Sequence, residues 1–151
     1  MVTFYDLLVF VHVFSAILGL GPGFVMIYIV TKAANLTELK HAYIIRSRLH
    51  IFVMVGGTLL LITGIWMGLL HTYLFQQGWY VTSLVLYLIA LGFGPSVLSP
   101  RSKPVKALLK KSTGDEIPPE YFVLSKKLFF YERIENTLFL IVIALMILKP
   151  F

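Results

Sequence analysis

The sequence predicts an all-α fold: a four-helix transmembrane bundle with short loops and one longer basic loop between its third and fourth helices. Three observations predict it. Hydrophobic residues make up 58% of the 151 and charged residues 13%, against about a quarter charged in soluble domains. Several apolar stretches reach the roughly 20 residues that cross a bilayer as a helix. Of the 13 Lys and Arg, all but Lys149 fall in two linkers or at the base of the last apolar stretch. The length holds four spans as one integral membrane domain, residues 1–151, with no extramembrane module.

The first span is expected at about 4–31. It has no basic n-region, since Asp6 is the only charge before Lys32, and it is too long for a cleaved signal. A polar linker with Lys32, Glu38, Lys40, Arg46 and Arg48 separates it from the second span, about 49–74. The turn "FQQGW" leads to the third, about 79–98. The basic, Pro-containing stretch "SPRSKPVKALLKKSTGDEIPPE" follows, its middle suited to a short surface helix. The fourth span runs from about 119 to 148. Pro22 in "GLGPGF" and Pro95 in "GFGPS" each remove a backbone donor, so both sites predict bends.

Positive residues stay on the cytoplasmic side of a membrane. Both basic linkers are therefore expected inside and both termini outside, in a bacterial cytoplasmic membrane. Four spans place both termini on one side, so count and charge agree. The net charge of +6 is then topological, with some attraction to anionic lipid heads, and the partner it implies is the bilayer and not nucleic acid. The absence of cysteine excludes disulfides, thiolate metal sites and thiol nucleophiles.

Each span carries a stripe of small or polar residues at helical spacing. The first has His12, Ser15, Gly19, Gly23 and Met26; the second has His50, Met54, Gly57, Gly64, Gly68 and His71. The third has Ser83, Tyr87, Ala90 and Gly94; the fourth has Glu132, Glu135, Asn136, Phe139, Ile143 and Met146. Lipid cannot hydrogen-bond polar groups, and small residues let helices approach closely, so these stripes face the bundle interior. The glycine faces read as helix packing and also offer a homo-oligomer contact.

Two polar groups follow. At the basic end, Arg46, Arg48 and His50 lie opposite Glu132, Arg133, Glu135 and Asn136. An intramembrane carboxylate is tolerable beside a cation, so Glu135 and Asn136 are expected to face Arg46, Arg48 or His50. This is either a structural clamp or a proton or ligand site. Toward the other end, His12 lies roughly 12 Å below its helix terminus. Met67 and His71 share a face of the second helix. His12 with Met67 or His71 can ligate haem iron, and His12 with His71 can hold a metal. A hydrogen bond to a neighbouring helix satisfies the same imidazole.

Several segments carry a resemblance: "VHVFSAILGLGPGF", "RSRLHIFVMVGGTLLLITGIWM", Trp79 and "ERIENTLFLIVIALMILKPF". Together they resemble the bacterial four-helix protoporphyrinogen oxidase family (HemJ type). They are more similar to an uncharacterised integral membrane family related to it and to the CopD-type copper-resistance membrane domain. The likeness implies that His12 matches a helix-one histidine associated with haem b, and that Asn136 matches the polar start of helix four. The oxidase pattern also has a Trp after the first histidine and a Lys and a His in helix three; this chain has none of these. The sister family is thus the nearer match, and it implies a fold without an assigned activity.

Two functional readings stand side by side. In one, haem b or a metal in the outer half of the bundle serves electron transfer with a membrane quinone or other redox partner, His12 being a ligand with Met67 or His71. In the other, the chain is a non-enzymatic packing partner or a small-solute or ion transport component without cofactor. A third, copper handling, draws on Met26, Met54 and Met67.

Overall fold

The computed structural model describes residues 1–151. Its first helix, α1 (Phe4–Thr31), starts at a capping box: the Thr3 hydroxyl accepts from the Asp6 N–H at 3.2 Å, and the Asp6 carboxylate accepts from the Thr3 N–H at 2.9 Å. Pro22 lies within α1 without ending it. After a turn of four residues, α2 (Leu36–Leu70) begins at Asn35, whose side chain accepts from the Glu38 N–H. Glu38 in turn accepts from the Ala34 N–H at 2.8 Å.

The second helix therefore starts well before residue 49. The stretch read from sequence as a polar linker is mostly helix, because Leu36, Leu39, Ala42 and Tyr43 form a buried stripe beneath its charges. A short 3₁₀ turn, Thr72–Gln76, leads into α3 (Gly78–Phe93). At Pro95 the chain widens into one π-helical turn, Gly94–Leu98, and continues directly as α4 (Ser99–Lys111). The basic segment is thus no detached surface helix: Val105 and Leu109 bury themselves against the bundle. The last helix, α5 (Pro119–Leu148), has Pro119 at its first position and Glu120 in its first turn.

The chain is all-helical. Three of its helices, α1, α2 and the α3–α4 continuation, are long and apolar enough to cross a membrane. The fourth long helix, α5, is apolar from Thr137 to Leu148 but carries Glu132, Arg133 and Glu135 just before that run. Large apolar side chains face outward along the whole length, among them Phe10, Ile17, Ile51, Leu69 and Leu140. Lipid is the solvent that accepts such a surface.

The closest backbone approaches lie within two pairs, α1 with α2 and α3 with α5. In the first pair Gly19 meets Gly56 and Gly57: a Cβ on Gly19 would lie 2.6 Å from the Gly57 nitrogen. In the second, Ala90 is fully buried, Tyr87 packs on Phe139, and the chain end folds back onto the start of α3. There the Trp79 N–H donates to the Phe151 carbonyl at 2.9 Å, and Lys149, the left-handed residue closing α5, sits over the Trp79 ring. Between the pairs, contact is made chiefly by side chains. The Tyr80 and Tyr87 hydroxyls donate to the carbonyls of Gly64 and Gly57, both at 2.8 Å.

Candidate functional site

The space between the two helix pairs is not filled evenly. One apolar cluster, with Leu20, Leu60, Tyr87, Ala90, Phe139 and Val142, packs the middle of the bundle. Another, with Val30, Leu39, Tyr43, Val105 and Leu128, packs its basic end. Between them lies a cavity of about 580 Å³. Gly19, Gly23 and Met26 of α1 form one wall, and Leu91, Pro95 and Leu98 another. Arg46, His50, Lys106, Glu132, Glu135 and Asn136 supply its polar groups. Phe139 lines it on the side where the Tyr87–Gly57 bond closes the bundle.

Arg46 of α2 and Glu132 of α5 form the ion pair, the only one in the chain, with side chains 11% and 9% exposed. The second guanidinium nitrogen reaches the other carboxylate oxygen at 3.1 Å, so the pair is two-pronged. Asn136, one turn further along, donates to the carbonyl of Gly23 at 3.3 Å. That carbonyl stands opposite a side-chain-free position, where an added Cβ would lie 3.4 Å from the asparagine oxygen. Glu135 lines the cavity half-buried, with neither an ion pair nor a hydrogen bond. His50 also lines it, while Arg48 and Arg133 are exposed and lie outside it. Sequence reading grouped these seven residues at one end. It missed Lys106, which the unbroken α3–α4 passage brings to the cavity.

Toward the other end, the His12 Nδ1 and the Thr63 hydroxyl lie 2.8 Å apart, and Thr63 also donates to the Leu59 carbonyl. The ring rests on Gly64, where a Cβ would come within 3.2 Å of its Cε1. Met67 lies one turn beyond Thr63. His71 caps the end of α2, exposed, its ring edge-on to Tyr5 at 4.4 Å. Thr63 and His71 are separated by about 12 Å of helix rise. His71 therefore lies about two turns from the contact between His12 and Thr63, where imidazole and threonine meet. No three of the His, Asp and Glu side chains gather as a metal cradle. Thr63 was the missing partner, and its place one position before Gly64 on the small-residue face was the available signal.

An all-helical chain with three membrane-length apolar helices and a charged cavity among them defines an integral membrane protein. The family comparison agrees: residues 6–150 match the family described as predicted integral membrane protein (DUF2269), and the chain belongs to that family. No curated protein matches it, and no solved structure does.

Proposed function

We propose that this chain is a membrane component that binds a small charged solute without a redox cofactor, in the cavity at the Arg46–Glu132 end of the bundle. One observation carries the reading: Glu132 takes the direct ion pair with Arg46, whereas Glu135, on the same helix, lines the cavity with no ion pair or hydrogen bond of its own. Intramembrane carboxyls are costly and mark solute or proton pathways. Glu135 is the group free to meet a positive group of the solute, Lys106 to meet a negative one, and Met26, Leu128 and Phe139 its apolar body.

The reading includes four crossings, α5 among them, with the basic ends inside and both termini outside a bacterial cytoplasmic membrane. The placement of Lys and Arg and the likeness to the four-helix oxidase and CopD-type proteins support it. The histidine–threonine bond of His12 supports a structural role for that residue over haem ligation.

A thermal-shift screen of small amines and zwitterions tests the site. Solutes that raise the melting temperature of the purified wild type should leave Glu135→Gln unmoved; equal responses remove Glu135 from the site. An absorption spectrum tests the cofactor. A Soret band in haem-replete wild type, lost in His12→Ala, overturns the proposal in favour of haem b with its redox partner.

A further inference from the structure

A second concavity lies at the basic end, between α2 and α4. It is a groove of about 650 Å³ bordered by Lys40, Arg48, Lys106 and Lys110, and no carboxylate lines it. None of the four cations has an ion-pair partner. Lys40 is held in place by donating to the Ser112 carbonyl at 2.7 Å, which fixes the ammonium without cancelling its charge.

The floor has the opposite character. Ile44 and Ile51 line it and are 51% and 60% exposed. On α2, Lys40, Ile44, Arg48, Ile51 and Val55 share one face at helical spacing. That face passes from cationic at the helix start to wholly apolar one turn beyond Arg48. On α4, Lys106 and Lys110 stand one turn apart with Leu109 between them. A ligand matching this face has a negative head and a hydrocarbon tail lying parallel to a membrane helix.

We infer that the α2–α4 groove is a binding site for an anionic phospholipid, its phosphate among Lys40, Arg48, Lys106 and Lys110 and its acyl chain along Ile44, Ile51 and Val55. Charge complementarity selects an acidic headgroup over a zwitterionic one. The apolar lane selects a lipid over a soluble phosphate, which gains nothing from it. Lys106 and Ser47 border both this groove and the inner cavity, so the test uses residues that border the groove alone.

Arg48 and Lys110 make no hydrogen bond or ion pair, so Arg48→Gln with Lys110→Gln removes charge and leaves the packing intact. Phosphatidylglycerol or phosphatidylcholine is titrated into the detergent-purified protein, and retained lipid is counted by native mass spectrometry. Lys126→Gln with Lys127→Gln, exposed on α5, serves as a charge-matched control. The wild type and the control should retain phosphatidylglycerol in preference to phosphatidylcholine. The groove variant should bind phosphatidylglycerol roughly tenfold or more weakly, since each cation near an anionic lipid surface contributes about fivefold. Glycerol 3-phosphate should fail to compete. Equal retention of the two lipids, an unchanged groove variant, or full competition by glycerol 3-phosphate each overturns the inference.

Discussion

Glu132 and Glu135 lie nearly one turn apart on α5, and their surroundings divide them sharply. Glu132, 9% exposed, shares two contacts with Arg46; Glu135, half-buried on the same cavity, makes no ion pair or hydrogen bond. Breaking a buried pair leaves an uncompensated charge and costs about 3–5 kcal/mol. Glu132→Ala should therefore lower the thermal unfolding temperature in detergent substantially, while Glu135→Ala should shift stability by under about 1 kcal/mol. Thr63→Val keeps shape but strips His12 of its partner, at an expected cost of about 1–3 kcal/mol. A melting curve identical to wild type would show that His12 finds another acceptor. The polar cluster itself was legible, because carboxylates at the threshold of an apolar run demand cations. The individual contacts were not. Glu135 and Asn136 were expected to face Arg46, Arg48 or His50, and they line one cavity with Arg46 and His50, where Glu132 takes the direct ion pair and Asn136 donates to the Gly23 carbonyl. Which of residues i, i+3 and i+4 meets a partner depends on how far the helix is rotated, and apolar periodicity fixes that rotation only coarsely.

At the scale of elements, the glycines of α1 and α2 are spacers chosen for helix approach. Gly19 lies against the backbone of Gly56 and Gly57, whereas Gly21 faces open space with nothing within 4 Å of an added Cβ. Gly19→Ala must push α1 off α2 and lower thermal stability. Gly21→Ala should be neutral or stabilise by roughly 0.5–1 kcal/mol, as expected for Ala over Gly inside a helix. Equal effects of the two would defeat the packing assignment. The small-xxx-small patterns of the sequence were thus readable as close contacts, and those contacts are made within the chain. The start of α2 was also written in the sequence: Asn35 followed three residues later by Glu38 is a helix-start signature. Charge density over residues 38–48 masked it, since hydropathy marks where lipid begins and says little about where a helix begins.

For the whole molecule, the basic residues of the α1–α2 turn, α4 and early α5 gather at one end. Orientation is the prediction that belongs here. With Gln76→Cys and Thr113→Cys, both exposed, an impermeant thiol reagent added to intact cells should label position 76 and miss position 113. The opposite pattern inverts the topology. All-helical architecture and the order of the long helices followed from hydropathy and charge alone. The cavity did not, because it arises from how two helix pairs are set against each other, a matter of side-chain size at Tyr80, Tyr87 and Phe139.

That setting has a mechanical side. From the Tyr80–Gly64 bond to the Arg46–Glu132 bond, α2 extends for about 27 Å. The α1–α2 and α3–α5 pairs are packed closely within themselves, and few backbone contacts join them. Two phenol hydroxyls join the pairs near one end; at the other they are joined by the Arg46–Glu132 ion pair, the Asn136–Gly23 hydrogen bond and the apolar cluster around Leu39, Tyr43, Val105 and Leu128. Over that length a tilt of a few degrees at the tyrosines corresponds to an ångström or two at the cavity mouth, a shear of packed helices that would break no helical hydrogen bond. Spin labels at Ile45 and Lys103 should accordingly report a broader distance distribution than labels at Leu69 and Val81. Glu132→Gln should widen the first distribution and leave the second unchanged. In that expectation the bundle hinges at its uncharged end and shears at its charged one.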